Sequence, residues 1–173
     1  MREEIIMNKK LLGEINKQIG LEFYSQHFYL SMAAYSAAND LPGFESWFLA
    51  QGQEENFHAM RFYRYLNQRD EKVVITGFED PPTEFSSVLD AFEKGLAHEK
   101  TVTDRINYLM SIAHEEKDYA AVNFLNWYVD EQVEEEDTFS TMIGKVKMVG
   151  DGMGLYELDK EAAARTFVPP AAE

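Results

Sequence analysis

Four glutamates and one histidine stand out as the residues that could do chemistry in this chain. Glu22, Glu55, Glu99 and Glu135 each interrupt an apolar stripe traced at alternating steps of three and four residues, and His58 follows Glu55 at i+3. The first stripe reads Leu12, Ile15, Ile19, Glu22, Gln26, Tyr29, Ala33, and the second Phe44, Phe48, Gln51, Glu55, His58, Phe62, Tyr65. The third reads Val88, Phe92, Gly95, Glu99, Val102, Ile106, Met110, and the fourth Ala121, Leu125, Tyr128, Gln132, Glu135, Phe139, Met142. All four are broken near the middle by side chains of metal-ligand type.

A carboxylate taken out of water without a partner costs several kcal/mol even after relaxation. Four in one buried layer, with His58 alone to offset them, would repel one another as well. A pair of multivalent cations resolves both conflicts. Glu55 and His58 emerge about one turn apart on one helix face, and Gln132 and Glu135 repeat that spacing. Oxygen-rich ligands with a single imidazole favour iron or manganese over sulfur-seeking metals. A lone Glu-x-x-His is weak evidence; four stripes interrupted at one level are much stronger.

Long helices must position these groups. Helical patterns run from about Asn8 to Ala38, Phe44 to Asp70, Phe85 to Ala113 and Tyr119 to Val149, with a short fifth from about Leu155 to Thr166 and a loose tail over 167–173. The turns Asn39–Gly43 and Glu115–Asp118 make two antiparallel hairpins. Glu71–Glu84 has no helical period and contains Gly77 and Pro81-Pro82. Those residues can span about 46 Å when extended, and a helix of about 28 residues is roughly 42 Å long. A crossover joining two parallel helices of a bundle accounts for the length of that loop. The whole chain reads as one all-α domain.

Composition narrows the partners. Of 173 residues, 16 are Lys or Arg and 31 Asp or Glu, a formal net charge of −15 that repels nucleic acid and attracts cations. Without cysteine there is no disulfide, thiolate zinc site or iron–sulfur cluster. The opening MREEIIMNKK lacks a signal peptide's apolar stretch, and no later run is long and apolar enough for a membrane span, so a cytoplasmic location is expected.

Three stretches carry a family likeness. Gly20-Leu21-Glu22-Phe23-Tyr24-Ser25, Gln53-Glu54-Glu55-Asn56-Phe57-His58-Ala59-Met60 and the run from Phe124 to Glu135 resemble the prokaryotic non-haem ferritins, as does the Gly154-Leu155-Tyr156 opening of the fifth helix. The resemblance covers nearly the whole chain. It implies a ferritin-like four-helix bundle with a long crossover between helices 2 and 3 and a short fifth C-terminal helix.

It also implies a ferroxidase centre with two iron positions. Glu22, Glu55 and His58 resemble the ligands of the first iron, with Glu55 bridging to a second that Glu99 and Glu135 complete. Gln132 resembles the glutamine near the oxygen side of the pair, and Tyr29 the tyrosine beside the centre. Glu54, Glu131 and Glu134 resemble the carboxylates of a third iron site shared with Glu135; read from the residues alone, they are a solvated acidic face. The implied function is iron storage and detoxification. Fe(II) is oxidised by O2 or H2O2, and ferric oxyhydroxide is deposited inside a hollow shell of twenty-four subunits.

Departures sort the subclasses. Bacterioferritins carry a second Glu-x-x-His where this chain has Gln132 and Glu135, and a haem-ligating methionine where it has Asn56; Met60 sits elsewhere on the helix, so haem is not expected. His27, His98 and His114 read as surface or lightly bonded, and Trp127 as ambiguous. Two other classes remain at this stage: a binding-only storage subunit, and a di-metal oxidase or oxygenase acting on an organic substrate.

Overall fold

Residues 7–170 are described in a computed structural model, and regular structure among them is entirely helical. The helices are α1 (Lys9–Ala38), α2 (Pro42–Gln68), α3 (Val88–Glu115), α4 (Tyr119–Val149) and α5 (Met153–Ala162). Local chemistry sets their starts. The Asn8 side chain accepts from the amides of Lys10 and Leu11, and that of Asp118 accepts from Ala121. Pro42 occupies the first turn of α2, where its missing N–H costs nothing.

Three helices shift from the sequence expectation: α2 spans 42–68 rather than 44–70, α3 88–115 rather than 85–113, and α5 153–162 rather than 155–166. α3 begins at Val88 because Ser87 caps the amide of Asp90 while Asp90 accepts from the Ser86 amide. Residues 165–170 have no regular structure. Residues 171–173 of the expected tail lie outside the described residues.

The 71–84 segment is the crossover. Asn16 fixes its start by accepting from the Val74 amide and donating to the Lys72 carbonyl. Phe78 packs on Tyr24 and His27, and Ser31 donates to the Pro82 carbonyl. The chain thus runs the length of α1 before Phe85 meets Tyr35. α3 starts near the start of α2, as the Phe44–Phe92 ring contact shows, and runs parallel to it. α1 pairs with α2, α3 with α4 and α1 with α3, while α5 lies across α2 and α4.

The core divides into two apolar clusters. One holds Tyr29, Met32, Phe44, Trp47, Phe48, Phe92 and Phe139; the other Ile15, Ile19, Phe62, Leu66, Ile106, Leu125 and Tyr128. The buried glutamates and His58 of the bundle centre lie between them in sequence on every long helix, while Gln18 sits between Ile15 and Ile19 of the second cluster. The heptad trace needs one correction. Leu12, Gln26 and Met110 are only partly buried, and their neighbours Leu11, Ser25 and Leu109 are buried instead.

Candidate metal centre

Each long helix delivers a carboxylate to the bundle's middle. Glu22 comes from α1, Glu55 and His58 from α2, Glu99 from α3, and Gln132 and Glu135 from α4; none of the six is more than 3% exposed. Ligand atoms of Glu22, Glu55 and His58 lie within 4.8 Å of one another, and the same holds for Glu54, His58, Glu131 and Glu135. His58 belongs to both groups. Its Nδ1 is 3.6 Å from Glu55 and its Nε2 3.7 Å from Glu131.

Glutamines and a tyrosine hold the carboxylates in place. Gln18 donates to Glu22 at 2.8 Å, and Gln51 donates to both Glu55 (3.0 Å) and Glu135 (2.9 Å). The Tyr29 hydroxyl and the Gln132 amide both donate to Glu99, the amide at 3.1 Å. Tyr128 donates to the His58 carbonyl at 2.8 Å, and the Trp127 ring packs 5.4 Å from the imidazole with Arg61 stacked on it. Gln51 appeared in the sequence only as a polar break in a stripe, and Gln18 lay outside the traced stripe. Both were legible only as a buried amide four residues before a glutamate on the same helix face.

Several of these atoms have no partner within the protein. Glu22 Oε2, Glu135 Oε1, His58 Nε2 and Gln18 Oε1 are buried without a hydrogen bond. Stranded acceptors of this kind are costly in an apolar interior, and a cation within reach of them removes the cost. The donor set, mainly carboxylate oxygen with one imidazole, suits iron or manganese.

Electrostatics points the same way. Burial, reinforced by the Glu55 charge, raises Glu99 to about 8 against the hydrogen bonds from Tyr29 and Gln132. Burial raises Glu55 to about 7 despite the pull of His58. Glu135 is driven well above its ordinary value by burial and then by Glu99 and Glu55, and Glu22 rises mainly through burial. For His58, burial opposes the imidazolium, but Glu131 and Glu55 outweigh it and lift the pKa. The raised values mean that protons neutralise there the charge that bound cations would otherwise neutralise.

The remaining sequence candidates separate. Glu54 and Glu131 join the second group, whereas Glu134 is exposed and lies outside both. His98, read from sequence as surface or lightly bonded, is half-buried. It pairs with Ser25 Oγ at 2.7 Å and packs on Tyr24 and Phe28, and burial lowers it to about 4. His27 is exposed and pairs with the Phe23 carbonyl; His114 is exposed near the end of α3. Arg165, absent from the sequence reading, reaches the site from beyond α5, 2.9 Å from Glu54.

Comparison with known proteins bears on the fold and the family. The family model described as a ferritin-like domain matches residues 12–149. A bacterial non-heme ferritin of Staphylococcus saprophyticus is 45% identical over 163 residues, covering 94% of this chain and 98% of that protein. An open-pore ferritin from the hyperthermophilic archaeon Archaeoglobus fulgidus superposes with a TM-score of 0.91 at 42% identity, covering 92% of this chain and 99% of the other. A closed form of the A. fulgidus ferritin, engineered by mutagenesis, gives 0.92 at 42% identity, with 94% and 99% covered.

Proposed function

Because the chain belongs to the ferritin family, we propose that it is an iron-storage subunit that oxidises Fe(II) within its own bundle. The observation that carries this reading is the burial of Glu22, Glu55, His58, Glu99 and Glu135 with acceptor atoms left unpartnered. Glu99, outside both metal-sized groups, is linked to them through Gln132 of α4 and the charge of Glu55. One Fe(II) binds at Glu22, Glu55 and His58. A second binds at Glu99 and Glu135, with the Glu55 carboxylate between them. Hard carboxylate ligands favour Fe(III), which draws the oxidation forward.

Each of two Fe(II) ions gives one electron to the oxidant. O2 with two protons becomes H2O2, and H2O2 with two protons becomes two waters. Paired ions about 3.5–4 Å apart deliver both electrons together, which avoids release of a one-electron product. The chain supplies the geometry. Gln51 holds Glu55 and Glu135 toward each other, Tyr29 and Gln132 aim Glu99, and Gln18 aims Glu22. The ferric product leaves by the Glu54–Glu131 side and is deposited as oxyhydroxide within a shell of twenty-four cytoplasmic subunits. With a chain of 20.0 kDa, that shell has a mass of about 480 kDa.

The test is Fe(II) loading of the apo protein without oxygen, followed by air, with iron counted on the sized assembly. The expected result is an amber particle near that mass carrying far more iron than the pair its oxidation sites hold. Uptake that halts at one pair per subunit would point to an oxygenase acting on an organic substrate. Storage with oxidation no faster than in buffer would leave a binding-only subunit.

A further inference from the structure

Beyond α5 the chain turns back along α2 toward the metal centre. Arg165 lies with its guanidinium 4.0 Å from the centre of the Trp47 ring, while its Nη2 is 2.6 Å from Gln51 Oε1 and 2.9 Å from Glu54 Oε2. Two residues on, the Phe167 ring packs 5.7 Å from that of Phe57. A stretch following a ten-residue helix thus covers α2 from Trp47 to Phe57 and sets a fixed positive charge on Glu54. Glu54 shares a metal-sized group with His58, Glu131 and Glu135, and two buried atoms of that group, His58 Nε2 and Glu135 Oε1, make no hydrogen bond.

We propose that Arg165 is the resident counter-cation of the Glu54–Glu131 position, and that the segment carrying it lifts away when a third metal ion takes its place. The inference rests on the metal-binding reading of the site and adds a competitor built into the chain. A guanidinium does not lose its proton in a protein. A metal ion that binds Glu54 must therefore displace the whole side chain; it cannot simply neutralise it.

The attachment suits a displaceable element. Among the described residues, backbone hydrogen bonds of this stretch stop at the Arg165 amide, which donates to the Ala162 carbonyl. Ala163 and Ala164 add no bulky side chain, and the residues that follow have no regular structure. A segment held by the side chains of Arg165 and Phe167 and by no further backbone hydrogen bonds opens at lower free-energy cost than the helices it follows.

Arg165 also touches the two-metal part of the centre indirectly. By donating to Gln51 Oε1 it fixes the amide so that Nε2 faces Glu55 and Glu135. Its departure frees that amide, so occupancy of the outer position is coupled to the carboxylates of the inner pair. In this role Arg165 and Gln51 are positioning residues.

The experiment uses the assembled apo protein and Zn(II), which binds without redox chemistry. Calorimetric titration gives the number of ions per subunit and their affinities for the wild type, Arg165→Gln and Arg165→Ala. Hydrogen exchange read by mass spectrometry follows residues 163–168 of the wild type during the same titration. The expected result is a weakest site that tightens about tenfold or more in both variants, a size typical of changes beside a metal ligand. Exchange over 163–168 should rise when that last site fills and not before.

An unchanged last affinity in both variants overturns the proposal, and so does unchanged exchange in the wild type, which needs no substitution. If only two ions bind in every protein, the competition fails while the paired-metal reading stands. If none binds, that reading fails as well.

Discussion

Each carboxylate in the centre answers to burial first and to its neighbours second, so substitutions there separate metal affinity from fold stability. Glu55 is 1% exposed and raised to about 7, and it shares its surroundings with Glu22, Glu99 and Glu135. Glu55→Gln keeps the shape and removes one charge. Fast Fe(II) oxidation should be lost, while the apo protein at pH 8 should gain about 1–2 kcal/mol, in line with neutral replacements of uncompensated buried charge. Stopped-flow oxidation and denaturant unfolding of the same sample check both halves, and wild-type oxidation would show that the centre lies elsewhere. Gln51→Ala tests a different link, since it removes the amide that orients Glu55 and Glu135 without removing a ligand. Metal affinity should fall about 10- to 100-fold, the usual loss when a group supporting a ligand is deleted, with the weakening greatest for an ion bound at Glu135 under the proposed reading. The four glutamates and His58 were legible in the sequence because ionisable residues at stripe positions have no cheap explanation. Gln51 and Gln18 were harder, because a neutral amide breaks an apolar stripe at much lower cost. Glu134 looked equivalent to Glu131 in the sequence. Glu131 lies four residues before Glu135, about 40° away around the helix, whereas Glu134 lies one residue and about 100° away and is exposed.

Helices place the centre, and their ends show where local sequence rules hold and where tertiary contacts take over. The long helices and the crossover were readable from periodicity and turn residues, and α4 runs over the expected span. α5 was readable as a helix but not in its attachment. Asp159, 4% exposed, accepts from the Phe44 amide at the first turn of α2, a contact 115 residues apart in sequence. Gly43 makes the same joint possible from the other side. A Cβ there would lie 1.6 Å from the Asp159 carbonyl oxygen, and backbone cannot yield that much. Gly43→Ala should therefore unseat α5, and Asp159→Ala should weaken its docking by about 1–3 kcal/mol, the cost of stranding a buried amide. Thermal unfolding and the exchange protection of 153–162 measure this directly, and full protection in Gly43→Ala would show that α5 is held by other contacts. Gly95 has a related role on the bundle axis. Phe139 fills the space a side chain would take, and a Cβ added at Gly95 would meet its ring at 2.3 Å, so Gly95→Ala should cost about 1–3 kcal/mol through overpacking. A stripe position held by glycine gave no sign in the sequence of which residue occupies the room it leaves.

At the scale of the whole molecule, a formal net charge of −15 makes the apo protein a store of repulsion that cations relieve. The centre concentrates that effect where water cannot screen it, which gives stability a definite pH dependence. Glu55, at about 7, and Glu99, at about 8, hold protons in the folded state that ordinary carboxyls near 4.5 have lost in the unfolded chain. The native state binds more protons across that interval, so unfolding free energy falls as pH rises through it. Stability from these groups is complete below about 4.5 and is lost as pH climbs past their folded values. His58, also raised, acts in the same direction as its proton leaves. Metal bound at the proposed site would reverse the relation. Ions held there would displace the protons from Glu55 and Glu99 and interact with the charged forms, so metal affinity should grow with pH over the same range. The apo protein should therefore lose melting temperature between about pH 5 and pH 8, while the Zn(II)-saturated protein gains it, and Zn(II) binding in the interval should release protons. Differential scanning calorimetry at several pH values, with binding heats compared in buffers of different ionisation enthalpy, measures both effects. Parallel pH profiles for apo and loaded protein, with no proton release, would mean that the four carboxylates do not titrate together and that the repulsion driving metal capture is absent.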